Sequence, residues 1–199
     1  KILEKVGRQS IKGISLFGFR NNDDYEKIIN DTVNDFCKAT VDMSETKTGA
    51  LVVFEKKTPL QDIVSSGTTL DAVSSTELFN GLFFKNSALH DGAVVVREGR
   101  IYAAGCILPL SQNPALASEL GTRHRAAIGM SENSDAVVVV VSEETGKVSV
   151  AIGGNLQRDV ENGTLREILL RELIESENKN DNKVKNKKRK NKGGDVDEK

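Results

Sequence analysis

Apolar residues recur at helical spacing between residues 23 and 43, at Tyr25, Ile28, Ile29, Val33, Phe36 and Met43. This spacing predicts an amphipathic helix with Asp23 as its cap. A turn at residues 47–49 then leads into the apolar run Ala50–Phe54, which has strand length and is ended by residues 56–59. Residues 60–85 read as short helices separated by Ser/Gly/Thr-rich turns, with Ser74 or Ser75 capping a helix over residues 76–84. The pattern sharpens at Ala93–Arg97, where a Glu98-Gly99 turn and a second run at residues 100–104 predict a β-hairpin. Beyond Leu108-Pro109 and a polar loop, a helix is expected to include residues 123–130. Residues 136–141 are almost pure Val, the pattern of a strand buried on both faces, and a Thr145-Gly146 turn returns the chain along residues 147–152. Leu165, Ile168, Leu169 and Leu173 predict a closing helix to about residue 175. The core is therefore expected to be a sheet between helices.

Composition adds a boundary to this picture. Residues 177–199 carry nine Lys/Arg against five Asp/Glu, leaving a net charge of about −5 on the rest of the 199-residue chain. Val184 and Val196 are the only aliphatic residues in that tail. It cannot bury enough surface to offset its ordering entropy, so disorder is expected, with solubilisation as its simplest role. The remainder suits one domain. The expected organisation is an N-terminal linker or helical segment at 1–22, one folded domain at 23–176 and the charged tail at 177–199. Cys37 and Cys106 match no metal or redox spacing and read as reduced core residues. The longest apolar run, 136–141, is far short of the roughly 18 residues needed to span a membrane, so the chain reads as soluble. Because it begins at Lys1 rather than Met, a removed upstream segment is expected.

Three segments carry candidate chemistry. In Leu89-His90-Asp91-Gly92-Ala93, a small residue beside a carboxylate lets a ligand approach the backbone while the carboxylate reaches a metal or hydroxyl. A plain Asp-Gly turn explains the same residues. A His/Asp phosphohydrolase would need further ligands, and His124 is the only other histidine; the same count excludes a zinc site of several His and Cys. In Gly121-Thr122-Arg123-His124-Arg125, a hydroxyl and two guanidiniums stand at an expected helix start, where free N–H groups and Arg forks suit phosphate oxygens. Ser142-Glu143-Glu144 ends the Val strand, where carboxylates can hold a divalent ion and a serine can meet phosphate. Together these are the parts that nucleotidyl transfer needs.

The ordered set of residues 87–93, Leu108-Pro109-Leu110-Ser111, residues 121–127 and Ser142-Glu143-Glu144-Thr145 resembles the diadenylate cyclase domain over about residues 23–155. Within that family it is most similar to the membrane-anchored CdaA (DacA) type, whose catalytic domain follows N-terminal transmembrane helices. The resemblance implies an α/β fold of α+β type, a central, mostly antiparallel mixed sheet surrounded by helices. It implies that two ATP become cyclic di-AMP and two pyrophosphates, at the cytoplasmic face of the membrane in the full-length protein.

By matching positions, Asp91 would assist the 3′-hydroxyl, through the metal or as a base, and Gly92 and Ala93 would let the nucleotide lie near the backbone. Gly121, Thr122, Arg123 and Ser142 would hold phosphates, Arg123 being catalytic together with Asp91, with Arg125 supporting the cradle. His90, Asp91 and Glu144 would bind Mn2+ or Mg2+. Leu108 would line the adenine pocket, and Ile107, at a position often aromatic in relatives, implies weaker stacking. Catalysis would need a face-to-face homodimer, and relatives imply a YbbR-domain regulator and phosphoglucosamine mutase as partners. The alternative is a non-catalytic module that senses an adenine nucleotide. Nucleic-acid binding by the tail, which salt would weaken steeply, is not expected.

Overall fold

The computed structural model describes residues 22–113 and 120–175, so the linker up to residue 21 and the charged tail lie outside the described residues. The amphipathic segment forms α1 (Asn22–Glu45), which begins one residue early and places Asp23 inside the first turn rather than at the cap. Strand β1 (Ala50–Phe54) follows, then α2 (Gln61–Ser65), β2 (Thr68–Val73) and α3 (Thr76–Phe83). Ser75 is the cap of α3: its hydroxyl oxygen accepts from the Leu78 N–H at 3.1 Å. The expected hairpin is β3 (Ala93–Arg97) and β4 (Arg100–Cys106), joined through positive φ at both Glu98 (49°) and Gly99 (71°). That pair of left-handed residues matches the twist of the strands it connects. Helix α4 (Thr122–Asn133), strands β5 (Val137–Val141), β6 (Val148–Ile152) and β7 (Asn155–Arg158), and α5 (Asn162–Leu170) complete the order. A π-helical turn, Arg171–Glu175, extends α5.

The seven strands form one sheet in the order β2-β4-β3-β1-β5-β6-β7. Only β1 and β3 pair in parallel; every other neighbour is antiparallel, the mixed and mostly antiparallel arrangement expected. Central strands β1 and β5 are buried at every residue, which is why they are written almost entirely in Val, Leu, Ala and Phe. One face packs on α1 and α5 through Val33, Phe36, Met43, Leu165 and Leu169, with Phe36 meeting Phe54 and Phe79 edge to face at 5.2 and 5.1 Å. The other face packs on α2 and α4 through Leu60, Val64, Ala127 and Met130. Cys37 and Cys106 are buried and free, in the clusters on opposite faces of the sheet.

Residues 68–73, expected among short helices, form strand β2 instead, and β7 has no counterpart in the sequence pattern. Both are sheet edges. β2 is bulged between Thr69 and Ala72, with Asp71 at φ 47°, and most of its residues are exposed, as are most of those in β7. An edge strand has no second neighbour to bury it, so its sequence can remain polar.

This topology fixes where the chemistry-bearing segments lie. The parallel pair β1 and β3 begins at one side of the sheet, and their antiparallel neighbours β4 and β5 end there. Gly49, Asp91, Ile107 and Ser142 therefore flank the same sheet margin.

Candidate active site

At that margin lies a cavity of about 840 Å³, a volume in the range of small-molecule sites. Its floor is a cross-strand row. Leu51 pairs with Val140, Val140 with Ser149, and Ser149 with Arg158, so four adjacent strands each present one of these residues on the same face. Asp91 and Gly92, just before β3, form one end of the lining, with Ile107 and Leu108, just after β4, beside them. The start of α4 and the turn between β5 and β6 close the other end with Thr122, Arg123, Ser142 and Glu144.

Helix α4 begins at Gly121 in extended backbone, with no side chain capping its first N–H groups. Open space surrounds Gly121. The uncapped amides therefore remain free for an anion, helped by the helix dipole. The helix is locked in place behind the site. The Ser111 N–H donates to the Arg125 carbonyl at 3.0 Å, and the Ser111 hydroxyl donates to Glu132 at 2.8 Å. Gly129 packs so closely on the backbone of Pro109, Leu110 and Ser111 that a Cβ there would overlap it.

The β5–β6 turn is organised by its own serine. The Ser142 hydroxyl oxygen accepts from the N–H groups of Glu144 and Thr145 at 3.3 and 3.2 Å, which leaves its proton available to donate. Ser44 of α1 donates to the Gly146 carbonyl at 2.6 Å and ties the turn to the opposite face. Arg123 donates from Nη1 to Glu143 at 2.8 Å, and its guanidinium lies over Gly49.

His124 is half-buried beneath this cradle, with Nε2 3.4 Å from the Ser149 hydroxyl. Burial, reinforced by the charge of Arg158 and opposed by Glu144, holds its pKa below the ordinary value, so the ring is neutral near pH 7. Cys106 also lines the cavity, but burial pushes its thiol up to about 11. It is a wall residue rather than a nucleophile.

Of the residues singled out in the sequence, the cavity gathers Asp91, Gly92, Leu108, Gly121, Thr122, Arg123, Ser142 and Glu144. His90, Ala93 and Arg125 are not in its lining. His90 stands next to Asp91 with Nδ1–H donating to the Ser87 carbonyl at 2.6 Å, which leaves Nε2 free to accept or ligate. Ala93 is fully buried in the sheet. At Gly92, φ is +118°, and a Cβ would come within 2.6 Å of the Gly105 carbonyl carbon. The close approach that requires glycine here is thus strand against strand.

No group of three or more His, Cys, Asp or Glu converges on a metal position among the described residues. Asp91 and Glu144 nevertheless offer carboxylates to one cavity. That set fits an ion held jointly with substrate phosphates, as Mg2+ commonly is. Lys147, Arg158 and Asp159 also line the cavity without any mark in the sequence. Only strand register brings them to it.

The chain is similar to known proteins over much of its length. Residues 37–156 match the model of the DAC family, described as DisA bacterial checkpoint controller nucleotide-binding. The chain is 41% identical over 169 residues to the cyclic di-AMP synthase CdaA of Bacillus subtilis (strain 168), covering 85% of this chain and 60% of that protein. It is 40% identical over 174 residues to a diadenylate cyclase of Listeria monocytogenes serotype 1/2a (strain 10403S), covering 87% and 62%. The chain thus spans about three fifths of the length of these curated relatives. A crystal structure of DacA from Staphylococcus aureus, a double mutant, superposes with a TM-score of 0.69 at 46% identity, covering 74% of this chain and 95% of that one.

Proposed function

The chain belongs to the DAC family of nucleotide-binding domains, and from that premise we propose that it is a diadenylate cyclase, condensing two ATP into cyclic di-AMP and two pyrophosphates. The observation that carries the proposal is the convergence of Asp91, Thr122, Arg123, Ser142 and Glu144, from three separate segments, on one cavity. In each half-reaction the 3′-hydroxyl oxygen of one ATP bonds to the α-phosphorus of the other. The bond from that phosphorus to the bridging oxygen breaks, pyrophosphate leaves, and the hydroxyl proton passes to the Asp91 carboxylate and on to solvent.

The uncapped start of α4, Thr122, Arg123 and the Ser142 hydroxyl hold the phosphates. Leu108 and Ile107 border the base. Asp91 is exposed at the rim, and Ile107 beside it is 72% exposed. A carboxylate at an open rim suits a site completed by a second copy, each chain presenting its bound ATP to the other. Positioning of the two nucleotides then supplies much of the acceleration.

Asp91, Glu144 and His90 would hold Mn2+ or Mg2+. When bound, the ion neutralises phosphate charge. No described helix is long and apolar enough to cross a membrane. Attachment to the cytoplasmic face, a YbbR-domain regulator and phosphoglucosamine mutase are proposals about a longer protein.

The test is Asp91→Asn, which keeps the shape of the rim and removes the proton acceptor. The variant should retain ATP binding through Thr122, Arg123 and Ser142 and form no cyclic di-AMP, and the parent's specific activity should rise with protein concentration as dimers form. Normal synthesis by Asp91→Asn would overturn the role given to that carboxylate.

A further inference from the structure

Three cations line the cavity, and two of them are already paired. Arg123 holds Glu143 at 2.8 Å, and Lys147 holds Asp159 at 2.5 Å. Arg158 forms no hydrogen bond or ion pair among the described residues, although its charge is close enough to His124 to depress that ring's pKa. It is the last residue of the floor row that runs from Leu51 through Val140 and Ser149, so register alone aims it along the face that carries the start of α4.

The cavity has a direction. Leu108, the base-lining candidate, lies off β4, Asp91 off β3 and Ser142 off β5, while Ser149 and Arg158 lie on β6 and β7. From β4 to β7 there are five strand-to-strand steps of about 4.8 Å, roughly 24 Å in all, enough to lay base, sugar and three phosphates in line. A nucleotide with its base at β4 and its first phosphate near Ser142 points its distal phosphates at β7. An unpaired guanidinium there can bind two phosphate oxygens at once without breaking an existing ion pair.

We infer that Arg158 binds the β- and γ-phosphates of ATP, the part that leaves as pyrophosphate, and so makes the site select a triphosphate over a monophosphate. This rests on the reading of the cavity as an ATP site. The sequence gives no hint of it because Arg158 ends a short, polar edge strand far from the recognisable motifs.

The test compares Arg158→Gln with the parent chain by calorimetric titration, using AMP and the non-cyclising α,β-methylene analogue of ATP, both with Mg2+. The parent should prefer the triphosphate. Arg158→Gln should bind the triphosphate about tenfold more weakly, the scale of one lost charge-assisted contact, and bind AMP unchanged. Unchanged AMP binding also reports an intact fold. Arg158→Lys, which keeps charge but not the fork, should fall between them. If the parent prefers the triphosphate and Arg158→Gln keeps that preference in full, the inference fails while the ATP-site reading stands. If the parent itself does not prefer the triphosphate, both fail. Equal weakening toward AMP and triphosphate would also overturn the inference, because the effect would not lie at the distal phosphates.

Discussion

Gly49 touches no proposed substrate, yet the structure makes it the floor beneath Arg123. A Cβ added there would lie 2.9 Å from Arg123 Nη1, 3.0 Å from Cζ and 3.0 Å from the Glu143 Cβ. Comfortable non-bonded separations begin at about 3.5 Å, so Gly49→Ala must push the guanidinium outward by about half an ångström. Two of these three atoms are the far end of a flexible side chain, the Glu143 Cβ sits on an exposed turn, and Gly49 is not among the residues with left-handed backbone. Fold stability should therefore change by less than about 1 kcal/mol, helped by the lower entropy of the unfolded chain. Function should respond more strongly. A misplacement of 1 Å can cost about a hundredfold, so half an ångström is expected to lower kcat/KM about tenfold, or ~1.4 kcal/mol. The assay is the rate of cyclic di-AMP formation against ATP concentration, alongside the thermal midpoint of each protein. An unaltered kcat/KM in a normally stable Gly49→Ala variant would refute the idea that space at Gly49 positions Arg123. A large drop in thermal stability would refute it as well, by assigning the loss to the fold.

Two further predictions concern the core and the neutral histidine. Phe36→Ala removes a fully buried ring packed on Phe54 and Phe79 and should cost about 3–5 kcal/mol in urea denaturation. His124 has a folded pKa below that of the unfolded chain, so the unfolded state takes up its proton first as pH falls. Stability should be steady above about pH 6.5 and decline as pH drops below it toward the folded pKa, with the slope lost in His124→Gln. Removing the nearby positive charge with Arg158→Gln should raise the His124 titration midpoint seen by NMR.

The parts of the fold that could be read from sequence are those whose residues are buried by their position. The Val run of β5, the short apolar run of β1 and the Glu98-Gly99 hairpin carry burial and turn geometry in their own letters. β2 and β7 carry neither, because an edge strand is defined by the neighbour it pairs with rather than by an apolar face.

The same division runs through the site. Asp91-Gly92, Thr122-Arg123 and Ser142 to Glu144 are local clusters that could be recognised before folding. Gly49, Lys147 and Arg158 matter through contacts made only when separate strands come into register. Gly92 shows the limit from the other side: the motif marked the residue, but its backbone contact with Gly105 is a tertiary fact. Likewise His90, Asp91 and Glu144 read as metal ligands in sequence, but only the fold brings Asp91 and Glu144 to one cavity.

The most direct measurement is to incubate the protein with ATP and Mn2+ and separate the nucleotides by chromatography. One cyclic di-AMP and two pyrophosphates should form for every two ATP consumed, with the yield per chain rising with protein concentration. ATP recovered unchanged, although bound, would contradict it and identify the chain as a nucleotide-sensing module.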